Sequence, residues 1–177
     1  MSDRAMGGQE ESYTVFHLEM TDPGALSAKP LPAGLRVEEC EVPQHQLNRF
    51  LYQLVGKDWG WQDLDAWTDA QWQELVARDD LRTWVAHCQG AIAGYYELMR
   101  PDGRETEIRY FGLAPQFIGR GFGGPLLSHA IDSAWGWQGT RRVWVHTCTL
   151  DHPSALRNYQ ARGLRIFKQE TLPLEGD

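Results

Sequence analysis

The stretch ETEIRYFGLAPQFIGRGFGGPLL, from Glu105 to Leu127, constrains this chain more than any other. Its first nine residues alternate as a strand does, Pro115 begins a connector, and residues 119–124 carry four glycines. Pro125, Leu126 and Leu127 then open an apolar helix. A strand that leads into a run of free backbone N–H groups at a helix N-terminus makes a site for phosphate. Those donors lack intrahelical partners, and the helix dipole adds positive potential. The stretch therefore reads as the binding site of a phosphate-bearing cofactor.

At 177 residues the chain suits one domain and is long enough to bury a substantial core. A formal net charge of -7 gives no support to nucleic acid or an anionic membrane as the main partner. No apolar run approaches the roughly 20 residues of a spanning helix, and residues 1–12 lack the basic and apolar regions of a signal peptide. A cytoplasmic location is the expectation. Cys40, Cys88 and Cys148 are widely spaced, with no CxxC pair and no Cys/His cluster at metal spacing, so three free and mostly buried thiols and no metal are expected.

Along the chain, residues 1–34 read as an N-terminal tail, an edge strand over the alternating residues 13–20, and a Pro/Gly-rich linker from Asp22 to Gly34. A single domain is expected over 35–177. It begins with a strand at Leu35, followed by a helix whose apolar face is Leu47, Phe50, Leu51, Leu54 and Val55 and which Gly56 ends. A second helix starts at Thr68, where a hydroxyl followed three residues later by Gln71 forms a capping box. Three antiparallel strands follow, turning at Gln89-Gly90 and Pro101–Gly103. The helix after the glycine cluster carries the stripe Leu126, Leu127, Ala130, Ile131 and Ala134. A strand over 143–147, a short helix over 153–162 with Gly163 as its cap, and closing strands over 164–167 and 171–174 complete the order βααβββαβαβ. This is an α/β chain with a mixed, largely antiparallel central sheet flanked by helices.

That order and the glycine cluster resemble the GNAT superfamily of acyl-CoA-dependent N-acetyltransferases. The family pattern R/Q-x-x-G-x-G/A falls on Ile118-Gly119-Arg120-Gly121-Phe122-Gly123, with Ile118 where Arg or Gln is usual. A second motif, N-x-x-A followed by an apolar residue, Tyr and Gly-Phe, is similar to His152-Pro-Ser-Ala155-Leu156-Arg-Asn-Tyr159 and Gly163-Leu164. There His152 replaces Asn and Leu164 replaces Phe. The resemblance implies a GNAT-like fold, acetyl-CoA as co-substrate, an amine acceptor and, as the family expectation, a homodimer.

It also implies roles. Amine acetylation needs a base for the amine, donors for the developing oxyanion and an acid for the leaving thiolate. Glu107 is implied as the base. Alternation places it with Glu105 and Arg109 on one strand face and Thr106, Ile108 and Tyr110 on the other; taken alone, that face is equally a solvated charged strip. Tyr159 is implied as the acid toward the CoA sulfur, where a tyrosine on an amphipathic helix is otherwise a core residue with a polar tip. The oxyanion donor is a backbone N–H among Phe111, Gly112 and Leu113, where the family strand bulges and Gly112 suits an irregularity. Ile118, Gly119, Arg120, Gly121, Phe122, Gly123 and Gly124 form the cofactor loop. The acceptor pocket draws on Trp59, Trp61, Tyr110 and His146, with Asp58, Asp63 and Asp65 interleaved to attract an organic ammonium.

Other readings are open. Gly119-x-Gly121-x-x-Gly124 formally satisfies GxGxxG, yet a dinucleotide fold would place it after the first strand and an acidic residue near the position of His146. His146 and Cys148 share a strand face, but one Cys near a His does not make a thiol enzyme. His152 reads as a helix cap or a cofactor contact. Trp67 and Trp72 read equally well as packing for the helical layer. A non-catalytic acyl-CoA-binding module of the same fold is the main alternative to an enzyme. The acceptor is read as a small cationic or aromatic amine.

Overall fold

A computed structural model describes residues 11–174. Seven strands form one sheet: β1 (Ser12–Met20), β2 (Leu35–Glu39), β3 (Leu81–Cys88), β4 (Ala91–Met99), β5 (Glu105–Leu113), β6 (Arg142–Cys148) and β7 (Arg165–Pro173). Four α-helices cover it: α1 (His45–Gly56), α2 (Asp69–Val76), α3 (Gly123–Gly136) and α4 (Ala155–Ala161). From β2 onward the order is the expected βααβββαβαβ. The sheet order is β2-β3-β4-β5-β6-β1-β7, and every neighbouring pair is antiparallel except β5 with β6.

The N-terminal strand corrects an expectation. β1 is not at an edge: it pairs with β6 on one side and β7 on the other. Leu18 and Met20 enter the core with no more than 2% exposure, which is why a strand outside the expected domain belongs to the sheet. The expected tail lies mostly in residues 1–10, outside the described residues, and Ser12 already begins β1. The linker after β1 crosses from one half of the sheet to the other as a strap held at its main chain. Ser27 N–H donates to the carbonyl of Arg162 at 2.9 Å, and Lys29 N–H donates to Ser128 Oγ at 2.8 Å.

The apolar stripe of α3 is the centre of the core. Leu126, Leu127, Ala130, Ile131 and Ala134 are all fully buried and pack with Leu18, Leu98, Ile108 and Val143. On α1 the buried face is Asn48, Leu51, Tyr52 and Val55, and the expected Phe50 is half exposed. Leu47 and Leu54 are partly buried against the core, and beside them β4 presents Glu97, which is 1% exposed and needs a donor. Asn48 Nδ2 supplies one at 2.9 Å from Glu97 Oε1, and another at 3.0 Å from Thr83 Oγ1. The capping box of α2 forms as read, with Thr68 Oγ1 accepting from Gln71 N–H and Gln71 Oε1 accepting from Thr68 N–H. The final two strands are one, β7. Only Cys88 of the three free cysteines is buried, since Cys40 and Cys148 sit at half-open positions.

If β1 is integral to the core, Leu18→Ala should destabilise the protein by about 2–5 kcal/mol in urea unfolding, as a fully buried leucine does. A loss below about 1 kcal/mol would show β1 to be peripheral.

Candidate functional site

Strands β5 and β6 run parallel and pair only at Glu105 with Arg142, Thr106 with Val143 and Glu107 with Trp144. Beyond Glu107 they part. A cavity of about 1010 Å³ opens between them, lined by β5 from Glu107 to Leu113, by Val145, His146 and Cys148 of β6, by the glycine loop and by α4. Phe111 and Leu113 of β5 and Tyr159 of α4 line the opening and pack with the core that α3 centres. Unpaired main-chain edges of two strands therefore face one another across a cleft.

On the β4 side, Ala114 N–H donates to the Ala93 carbonyl at 2.8 Å. Antiparallel alternation then turns the main-chain groups of Gly112 toward β4 and those of Phe111 and Leu113 toward the cleft. Gly112 answers a different need from the irregularity expected of it. A Cβ there would lie 2.5 Å from Val55 Cγ1, so the glycine lets α1 rest on β5. The irregularity is earlier: the pairing shifts between Glu97 and Leu98, leaving Arg109 as an extra residue on β5. That shift overturns the simple alternation. Tyr110, expected opposite Glu107, returns to its side and packs on Tyr52 and Trp61 at ring separations of 5.4 and 5.0 Å.

Glu107 projects into the cavity with its side chain 17% exposed, and His146 Nδ1 stands 3.7 Å from Glu107 Oε1. Burial raises the Glu107 carboxyl above its ordinary pKa, opposed by the charges of His146 and Arg109. Arg109 faces the buried Glu97 at 4.0 Å. Tyr159 reaches the cavity from α4 with 6% exposure, its ring 6.1 Å from Phe111. Burial pushes its phenol well above the usual value, which keeps the proton on.

The cofactor loop leaves β5 through a single 3-10 turn, Pro115–Phe117. Gly119 and Gly121 have φ of 85° and 80°, a left-handed conformation that glycine takes without steric cost. Ile118, Gly119, Gly121, Phe122, Gly123 and Gly124 line the cavity together with Phe111, Gly112 and Leu113. Arg120 does not: its guanidinium lies over Phe117 at 4.9 Å, so the loop's own cation is turned away. Asn158 Nδ2 donates to the Gly123 carbonyl at 3.0 Å and ties α4 to the start of α3.

At the other end stand all four expected acceptor-pocket residues, Trp59, Trp61, Tyr110 and His146. Of the three aspartates, only Asp63 joins them. Tyr52 Oη donates to Asp63 Oδ1 at 2.8 Å and Tyr110 Oη to Oδ2 at 2.7 Å, fixing the carboxylate at the cavity wall. Trp72 and Trp67 pack with Leu64 and Leu75 in the helical layer. His152 is not a cap of α4, whose N-cap is Ser154 with no side-chain cap bond; its Nδ1 accepts from Ser154 N–H at 3.0 Å, and its ring meets Trp59 edge-on at 4.9 Å at the cavity wall. Cys148 lines the cleft with its thiol pushed up by burial and by Asp151, which keeps it protonated and unlike a thiolate nucleophile.

Three cationic residues of the cavity escaped the sequence reading. Lys29, Arg157 and Arg162 line the cavity from the strap and from α4 and its end. Each reads locally as an ordinary surface or cap residue, and no pattern links them before the chain folds. The cleft thus has Lys29 and Arg162 at the loop end, where they flank Gly124, and Glu107 with Asp63 at the other, Arg109 standing beside Glu107. A long ligand with phosphate at one end fits that polarity, and the free N–H groups of α3 point to where the phosphate would sit.

A sequence profile of the Acetyltransferase (GNAT) family matches residues 48–164, and the chain belongs to that family. The matched stretch begins within α1 and ends just before β7, leaving β1 outside it. The chain is 31% identical over 107 residues to an uncharacterized N-acetyltransferase of Mycobacterium tuberculosis, a match covering 60% of this chain and 62% of the relative. The match thus spans less than two thirds of that relative's length. A GCN5-related N-acetyltransferase from Kribbella flavida superposes with a TM-score of 0.65 at 18% identity, over 93% of this chain and 59% of that one. An IAA acetyltransferase from Bacillus cereus gives a TM-score of 0.55 at 26% identity, over 76% and 79%. The mixed, mostly antiparallel sheet flanked by helices is the fold these structures share.

Gly112→Ala should cost about 1–3 kcal/mol in urea unfolding through overpacking against Val55. Combining it with Val55→Ala should cost less than the sum of the single substitutions. Strict additivity would show that the two sites do not touch.

Proposed function

We propose that the protein is an N-acetyltransferase that moves the acetyl group of acetyl-CoA to a primary amine of a small molecule by direct attack. The observation that carries this reading is the parting of β5 and β6 immediately beyond Glu107. It aligns a carboxylate, two free strand N–H groups, a protonated tyrosine and a phosphate-suited helix terminus along one cleft. Acetyl-CoA supplies the thioester carbonyl. The chain's own groups do the rest.

Glu107 accepts a proton from the incoming ammonium, directly or through a water, so that a neutral amine attacks. The N–H groups of Phe111 and Leu113 face the cleft and stabilise negative charge developing on the carbonyl oxygen. Tyr159, kept protonated by burial, donates to the departing sulfur. Asp63, held by two tyrosine hydroxyls between Trp61 and Tyr110, attracts the cation of the acceptor, and the indole faces of Trp59 and Trp61 wall the pocket. This combination favours a small cationic or aromatic amine.

Release of CoA thiol from acetyl-CoA across a panel of such amines tests the reading. Glu107→Gln should lower kcat/KM by about 10²–10⁴-fold while leaving the thermal midpoint near that of the parent. Tyr159→Phe should lower kcat by less, because a thiolate departs readily even unprotonated. Thermal stabilisation by CoA without turnover on the whole panel would instead assign a non-catalytic acyl-CoA-binding module.

The pH dependence follows from the burial of Glu107. Its folded-state pKa is raised, so as pH falls through that value the carboxylate takes up a proton and ceases to act as a base. The acidic limb of kcat/KM should therefore lie above the ordinary glutamate value of about 4.3. Glu107→Gln should abolish that limb, and a limb unchanged by the substitution would place the base elsewhere.

A further inference from the structure

Arg162 follows the last turn of α4 and is 6% exposed, yet its Nε and Nη1 have no hydrogen-bond partner among the described residues. A buried guanidinium with open donors is costly to hold, and such donors mark a place for an anion. Its position is defined by Gly124. A Cβ on that residue would lie 3.0 Å from Arg162 Nη1 and 2.9 Å from Lys29 Cδ, so two cationic side chains converge on the first turn of α3 in the space a side chain would fill. Both line the cavity.

The fold places them deliberately close by two main-chain ties. Ser27 N–H is bonded to the carbonyl of Arg162, and Lys29 N–H is bonded to Ser128 Oγ, which in turn donates to the Gly124 carbonyl at 2.8 Å. Neither side chain forms an ion pair with a carboxylate among the described residues. Meanwhile the loop offers no side-chain charge of its own: Ile118 is apolar and Arg120 lies over Phe117. The N-cap position, Phe122, provides no side-chain acceptor for the helix N–H groups either.

We infer that Arg162 and Lys29 bind the diphosphate of the acyl-CoA, completing with their side chains the anion site that the α3 N-terminus begins with its main chain. The inference rests on the acyl-CoA reading above and names residues of the site from two segments outside the glycine loop. A guanidinium presents paired donors to phosphate oxygens, and the exposed lysine ammonium adds a second charge. The charge missing at Ile118 is thereby supplied from the strap and from the end of α4.

Calorimetric titration of the full chain with CoA and with dephospho-CoA, which keeps the diphosphate but lacks the 3′-phosphate, tests this without any turnover. Arg162→Met should weaken both ligands about ten- to hundredfold and to the same extent. Lys29→Met, at an exposed position, should weaken both by a smaller factor, and Arg162→Lys should recover part of the loss. The salt dependence of binding should be shallower in Arg162→Met than in the parent. Urea unfolding without ligand checks each variant, and if Arg162→Met does not fold, Lys29→Met and Arg162→Lys carry the comparison. Equal binding by parent and variants overturns the inference and leaves the acyl-CoA reading standing. A penalty seen with CoA and absent with dephospho-CoA also overturns it, by assigning the residues to the 3′-phosphate. A parent protein that binds neither ligand removes the acyl-CoA reading itself, and this inference with it.

Discussion

Everything in the candidate site depends on two parallel strands that begin paired and then cannot stay so. Three residues of β5 match three of β6, and past Glu107 the two strands are no longer paired and a cavity lies between them. A separated pair of strand edges normally invites aggregation or collapse. Here the buried stripe of α3 packs in a core shared with Ile108 of β5 and Val143 of β6, and the gap is a cleft with backbone donors on its wall. The parting point also decides where chemistry sits. Glu107 is the last residue of β5 paired with β6, buried enough to raise its pKa yet open to the cavity.

The second organising constraint is charge. A chain with net charge -7 brings two cations, Lys29 and Arg162, together at the glycine end of its main cavity and places two carboxylates, Asp63 and Glu107 with Arg109 beside it, at the other. Each set is held by a different part of the fold. The cations come from the strap and α4, which meet at the start of α3; Asp63 comes from the loop between α1 and α2, where Tyr52 and Tyr110 grip it. The cleft is thereby polarised along its length, which suits a ligand anionic at one end and an acceptor cationic at the other.

Much of this was legible in contiguous sequence. The strand over β5, the helix with its stripe from Leu126 to Ala134, the capping box at Thr68 and the glycine loop all follow from periodicity and turn chemistry that neighbouring residues carry by themselves. That Trp59 and Trp61 line the cavity was also legible, since a tryptophan-rich segment between two helices has few places to go. Elsewhere local pattern misled. Phe50 fits the apolar period of α1 but is half exposed, whereas the polar Asn48 is buried and pairs with Glu97 on a distant strand. Tyr110 fits the alternation of β5, but a register shift against β4 moved it to the face of Glu107.

The sequence alone therefore determined the elements, their order and the loop that can hold phosphate, because those depend on side chains a few positions apart along one helix or strand. Only the tertiary structure decided three things. It placed β1 inside the sheet, turned Arg120 away from the cleft, and brought Lys29 and Arg162 together over Gly124. Each depends on pairing between segments far apart in the chain, where the choice is made by which edges and faces remain unburied once the local elements have formed.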